Sequence, residues 1–177
     1  MDSYSSVRCL FCETGKEKRV VDAIHEKQMG RAIFAQREKI IWKDHKYNEE
    51  TYPLLPGYVF VYVSKEDILS VSYQEIPHVI RVLTYENGMD KLRGRDLEFA
   101  EWLWRLDGKI GVMKAVKVGK RIEIIDTLFK ELNGIIIKMN RRQKSIRVSL
   151  NTEGTPMQIL LSYEVVESIN EYLERNR

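Results

Sequence analysis

The six residues Tyr58-Val59-Phe60-Val61-Tyr62-Val63 alternate aromatic rings with valines. Both kinds of side chain suit a pleated strand, and since neither alternate set is polar, the strand is expected to be buried on both faces. It is also the longest uninterrupted apolar stretch, far short of the ~20 residues that cross a bilayer. No membrane span is expected. The opening Met1-Asp2-Ser3-Tyr4 lacks the basic and apolar regions of a secretory signal, so the expected location is the cytoplasm.

Elements with helical spacing flank this strand. Val7 to Cys12 reads as a strand, Thr14-Gly15 breaks it, and Val20, Val21 and Ile24 mark one face of a helix over Lys16 to Gln28. Ala32 to Trp42 reads as a second strand, Lys43 to Thr51 as a polar loop, and Ser64 as the cap of a short helix reaching about Gln74. Val79 to Thr84 is another β-branched run. Leu97, Ala100, Leu103 and Trp104 place a helix over Asp96 to Leu106. The order β-α-β-β-α-β-α predicts an α+β unit, an antiparallel sheet flanked by helices.

From Asp107 to Val118 the pattern dissolves into glycines, lysines and small apolar residues, which reads as a linker. Beyond it the period becomes two. Arg121 to Ile125, Gly134 to Met139, Ile146 to Leu150 and Met157 to Leu161 are short strands separated by Asn133-Gly134, a basic tip and Gly154-Thr155-Pro156, the spacing of a small β-barrel. Asn133-Gly134 supplies a left-handed turn. The tail, Glu167 to Arg177, reads as a frayed helix. With 177 residues in all, the expected domains are 1–107, a linker at 108–117, and a barrel with a short tail at 118–177.

Charge separates the same two parts. Residues 1–107 hold 16 Lys/Arg against 18 Asp/Glu, net −2, whereas residues 108–177 hold 13 against 8, net +5. Between Lys138 and Arg147 lie five positive residues, Lys138, Arg141, Arg142, Lys144 and Arg147, and no acidic one. Such a run is either a phosphate-facing patch or a solvated hairpin tip.

Catalytic chemistry finds no support. No phosphate loop, dinucleotide fingerprint or nucleophile elbow occurs, and His25, His45 and His78 stand apart without ligand spacing. The two cysteines, Cys9 and Cys12, fall within a strand, where their thiols point to opposite faces; they read as buried small hydrophobes. No catalytic residue, metal or cofactor is expected.

Four segments in order give a resemblance. Thr14-Gly15-Lys16-Glu17, Leu54-Leu55-Pro56-Gly57-Tyr58-Val59-Phe60-Val61, Ile76-Pro77-His78-Val79, and Val118-Gly119-Lys120-Arg121-Ile122 through Asn133-Gly134-Ile135-Ile136 resemble motifs of the NusG family of transcription elongation factors, the last being its KOW motif. The resemblance implies a non-enzymatic antitermination factor, a monomer. Its N-terminal domain would grip the clamp helices of RNA polymerase through Leu55, Pro56, Tyr58 and Phe60, with Gly57 as the turn; Phe60 is equally a core residue by its position. Its C-terminal domain would be an SH3-like KOW barrel touching RNA, a structured hairpin, through the basic tip. Where the RfaH branch reads DNA with basic and histidine side chains, this chain has Glu13, Ala23 and Glu26. Where general members carry two Phe residues implicated in contacts with ribosomal protein or Rho, the first place reads Thr127-Leu128-Phe129 and the second is Asn151, so half of that pair is absent. The polar insertion Tyr85 to Arg95 and the basic tip resemble LoaP-type antiterminators. A ribosome-associated KOW protein that binds structured RNA is the alternative.

Overall fold

The computed structural model describes residues 4–64, 72–153 and 156–166. In chain order the first elements are β1 (Ser6–Cys12), α1 (Glu17–Glu26), β2 (Arg31–Ile33), β3 (Gln36–Lys43), β4 (Lys46–Pro53), β5 (Tyr58–Val63), a 3-10 turn (Tyr73–Glu75), β6 (Val79–Val82) and α2 (Gly94–Arg105). There follow β7 (Lys109–Ile110), β8 (Met113–Val118), β9 (Arg121–Ile124), α3 (Thr127–Glu131), β10 (Ile135–Asn140), β11 (Ser145–Leu150) and β12 (Met157–Val166). These form two compact units, Met1–Ala35 with Leu55–Gly108 and Gln36–Leu54 with Lys109–Arg177.

The first unit is built on a four-stranded sheet of order β2-β5-β1-β6, antiparallel throughout. Because alternate residues of a strand face opposite ways, β1 and β5 each supply two layers. Leu10, Cys12, Val59, Val61 and Val63 pack with Val20 and Ile24 of α1 and with Met29, Tyr73 and Ile76. On the other face the Phe60 ring meets Phe99 of α2 at 5.9 Å, and Tyr62 meets Trp104 at 4.7 Å while donating its hydroxyl to the Ala100 carbonyl at 2.6 Å. β5 is therefore covered on both sides, as its composition requires. Both cysteines are buried and free, and the alternation puts them in different layers.

The second unit contains a three-stranded sheet, β4-β3-β7, and a five-stranded sheet, β10-β11-β12-β8-β9. In the latter β12 and β8 run parallel and the other neighbours antiparallel. Its core is aliphatic, with Met113, Ala115, Val116, Ile146, Val148, Leu150, Ile159 and Leu161 buried. β9 and β10 are the edges of this sheet.

Two expectations are corrected, and one element enters unannounced. The polar segment Lys43 to Thr51 is no loop: β3 and β4 form a hairpin paired from Gln36↔Pro53 to Lys43↔Lys46. Its two-residue turn, Asp44-His45, has φ of 54° and 59°, the left-handed geometry that hairpins favour but that Gly or Asn usually announces. The segment from Asp107 to Val118 is not structureless, since β7 pairs with β3 and β8 carries buried Met113, Ala115 and Val116. Between β9 and β10 lies the short helix α3, whose N-cap Asp126 accepts from the Leu128 N–H at 3.0 Å and the Lys114 N–H at 3.2 Å. The helix expected after Ser64 falls largely on residues 65–71, and the expected tail helix on 167–177, both outside the described residues. Among the described residues no helix is long and apolar enough to cross a membrane.

Candidate functional site

The corner between Leu54 and Tyr58 decides what the start of β5 presents. Pro56 fixes one φ and Gly57 adopts +85°, so the chain turns within two residues; the Tyr58 N–H closes the turn on the Leu55 carbonyl at 3.2 Å. A Cβ on Gly57 would lie 3.0 Å from the Cys12 carbonyl oxygen and 3.0 Å from Phe11 Cε2. Both polar groups of Gly57 are engaged: its carbonyl accepts from the Cys12 N–H at 2.8 Å, and its N–H donates to Glu17 Oε1 at 2.7 Å.

Past this corner a row of three side chains crosses the sheet. Tyr58 pairs with Phe11 on β1, and Phe11 pairs with Arg81 on β6. The Phe11 and Tyr58 rings lie 5.4 Å apart, and the Arg81 guanidinium sits 5.7 Å from the Phe11 centroid, within cation–π range. The layer that holds Phe60 and Tyr62 under α2 continues into Phe11 and Tyr58, which are only half-buried, and ends in the exposed Arg81. The result is an aromatic ledge with one cationic end. Beside it His78, with φ of 72°, brings its Nδ1 to 3.2 Å from Glu13 Oε2.

The four residues that resemblance assigned to a protein interface thus occupy different environments. Pro56 is exposed and Tyr58 half-buried on the ledge, whereas Leu55 is buried and Phe60 is 5% exposed against Phe99. Phe11 and Arg81 join the ledge without any signal in the local sequence, because cross-strand neighbours are set by register. Burial, with Glu17 and Glu13 nearby, pushes the Cys12 thiol up to about 11, so it stays protonated and unreactive at neutral pH.

The basic residues gather on the β10–β11 hairpin. Lys138 and Arg147 pair directly across the strands, and Arg141, Arg142 and Lys144 occupy the turn; all five are exposed. Among the described residues none of the five has an ion-pair partner, so their charge is left to solvent or a ligand. The turn is braced by Asn140, whose Oδ1 accepts from the Gln143 N–H at 3.0 Å, and Arg141 donates from Nη2 to the Lys120 carbonyl at 2.9 Å. Asn133, at φ 51°, closes α3, while Gly134 keeps a negative φ and serves close approach: a Cβ there would lie 2.3 Å from Val148 Cγ1. Only Asn133 takes the left-handed geometry expected of that pair. No group of three His, Cys, Asp or Glu able to hold a metal occurs among the described residues.

Comparison with known proteins adds three findings. The family described as "Transcription termination factor nusG" matches residues 8–99, a span that includes Phe11, the Pro56-Gly57-Tyr58 corner and Arg81. No curated protein matches the chain. A solved structure described as "Domain interaction in Thermotoga maritima NusG" is similar in fold, with a TM-score of 0.55 at 20% identity over 89% of this chain and 93% of that one.

Proposed function

This chain belongs to the NusG family of transcription factors, and on that premise we propose that it is a transcription elongation and antitermination factor that binds the clamp helices of RNA polymerase. One observation carries the reading. The aromatic layer of the first unit is sealed by α2 at Phe60 and Tyr62 but continues half-buried into Phe11 and Tyr58, so an apolar helical partner finds rings already ordered by the sheet. Pro56 and Tyr58, with Phe11 and Arg81, form the contact; Leu55 and Phe60 support it from beneath. No chemistry is required of the protein, whose work is to hold a complex together.

The five-stranded sheet that begins with β8 acts as the KOW-type barrel, and the polymerase-binding part lies within 1–107. Closure between β9 and β10 is supported by the Arg141 hydrogen bond to the turn preceding β9. The unpaired basic tip favours contact with RNA, a structured hairpin, in the manner of LoaP-type antiterminators. The protein acts as a cytoplasmic monomer.

The test is retention of RNA polymerase core enzyme by the full-length protein after nuclease treatment, wild type against Tyr58→Ala. Truncating an aromatic anchor in a desolvated contact costs ~2 kcal/mol, or about thirtyfold in Kd. A folded Tyr58→Ala protein that binds as tightly as wild type refutes the ledge as the interface. If the wild type retains no polymerase but holds ribosomal RNA through the tip, the ribosome-associated reading replaces it.

A further inference from the structure

We propose that Glu17 is the positioning residue of this interface, its side chain holding the Pro56-Gly57-Tyr58 corner in the conformation that presents the ledge. The inference rests on the reading of the ledge as the polymerase contact.

Glu17 opens α1 yet is only 4% exposed, and among the described residues it has no ion-pair partner. A buried carboxylate without a cation persists only where hydrogen bonds replace its water shell. Here the hydrogen-bond donor is the Gly57 main-chain N–H, 2.7 Å from Oε1 and remote in sequence. The N–H groups of Gly15 and Glu17, at the entry into α1, add a field that favours an anion. One side chain therefore ties the β1–α1 turn to the start of β5.

The Gly57 N–H has no alternative partner in the sheet, because the β1–β5 ladder ends at the Phe11↔Tyr58 pair. Without Glu17 it would be a buried, unpaired donor on a residue already at φ +85°. The peptide would rotate toward water, and Tyr58, the next residue, would leave its register beside Phe11. A residue that only completes the helix N-terminus would need its charge and its place in the first turn, and nothing of its length. A residue that holds Gly57 needs an acceptor oxygen at the reach of a glutamate side chain, charged or not.

Two conservative variants separate these roles. Glu17→Asp keeps the charge and withdraws the oxygen by one methylene; Glu17→Gln keeps the reach and removes the charge. In the full-length protein, the Gly57 and Tyr58 amide resonances should stay close to wild type in Glu17→Gln and shift in Glu17→Asp and Glu17→Ala. Polymerase affinity should follow the same order, within about twofold of wild type for Gln and about tenfold weaker for Asp, the loss expected for one hydrogen bond to a charged group. In a Tyr58→Ala background the Asp variant should lose little more, since the residue it positions is gone. The opposite order, with Asp like wild type and Gln impaired, overturns the proposal in favour of helix capping, as does an undiminished Asp effect in the Tyr58→Ala background. If wild type fails to bind polymerase, the interface reading falls, while the Gly57 amide separately upholds or overturns the hold of Glu17 on the corner.

Discussion

Alanine at Gly57 should destabilise the first unit by more than alanine at Gly15, and the difference isolates a single steric contact. The two glycines have nearly the same backbone angle, φ +85° at Gly57 and +84° at Gly15. Forcing an L-residue into that region costs ~1–2 kcal/mol, and the loss of chain entropy in the unfolded state that alanine brings offsets part of it equally at both sites. Around Gly15 a Cβ would meet nothing within 4 Å, so the dihedral cost is the whole cost. At Gly57 it would press on the Cys12 carbonyl and the Phe11 ring, both at 3.0 Å. The ring can tilt, but the carbonyl belongs to β1 and cannot retreat without straining the adjacent bond from the Cys12 N–H to Gly57. Overpacking of this kind adds ~1–3 kcal/mol. Gly15→Ala should therefore cost ~1–2 kcal/mol and Gly57→Ala ~2–5 kcal/mol. Urea titration in a Trp42→Phe background, followed by the fluorescence of Trp102 and Trp104, both in α2, reads the transition of this unit. Equal midpoints for the two variants, with m unchanged, would refute the claim that the corner is pressed against β1.

Tyr62→Phe removes the hydroxyl that donates to the Ala100 carbonyl beneath α2 and should cost ~1 kcal/mol in the same titration; no change would mean that the carbonyl finds another donor. Acid should weaken this unit through Glu17. Burial tends to raise its pKa, but the backbone N–H groups of Gly57, Glu17 and Gly15 prevail and hold it below the ordinary glutamate value. The folded pKa then lies below the unfolded one, so the contribution is complete above the ordinary carboxylate range and fades as pH falls through the lowered value. Urea midpoints measured downward from about pH 6 should fall less for Glu17→Gln than for wild type, and parallel profiles would exclude Glu17 as the source. At the other end of the chain, Arg141→Ala/Arg142→Ala should weaken binding to an RNA hairpin in gel shifts and reduce the log–log salt slope by about one for each phosphate no longer neutralised. An unchanged slope would leave these charges as solvation of the turn.

The sequence was most legible where one side chain type repeats at one period. β5, the Val20–Ile24 face of α1 and the strands β11 and β12 were all readable because burial selects their residues directly, whereas β10 was readable from its β-branched run although Ile135, Ile136 and Ile137 are exposed. It was least legible where geometry is set by backbone alone. The β3–β4 hairpin turns on Asp44-His45, which take positive φ less readily than Gly or Asn, and β4 is polar enough to pass for a loop although β3 read as a strand. β8 was hidden by Gly111, Lys114 and Lys117, which dilute a pattern that Met113, Ala115 and Val116 nonetheless satisfy. At the candidate site, the Pro56-Gly57-Tyr58 corner stood out from the chain, whereas Phe11 and Arg81 did not, and Glu17 entered only as the end of the Thr14–Glu17 motif, without a role. Their roles come from pairing across strands and from a hydrogen bond between remote segments, and neither leaves a local trace.

The hairpin carries a further consequence for how the chain is made. β3 finds its neighbour β7 only at Lys109–Ile110, and the five-stranded sheet is complete only with β12. During synthesis the ribbon from Gln36 to Pro53 emerges about 60 residues ahead of β7, which at ~5–20 residues per second leaves it waiting about 3–12 s. β2 and β5, on either side of it, pair with each other, so the first unit can close and leave the ribbon outside as a loop between them. For that interval one long edge of β3 is open, and from Glu38 onward no strand among the described residues pairs with it even after β7 is made. Charge guards it: Arg37, Glu38, Lys39 and Lys43 along β3, with Glu49 and Glu50 opposite on β4, make the nascent ribbon a poor template for a neighbouring chain. The polarity that disguised β4 as a loop thus joins the charges of β3 in keeping the ribbon soluble, before its partners are translated and after.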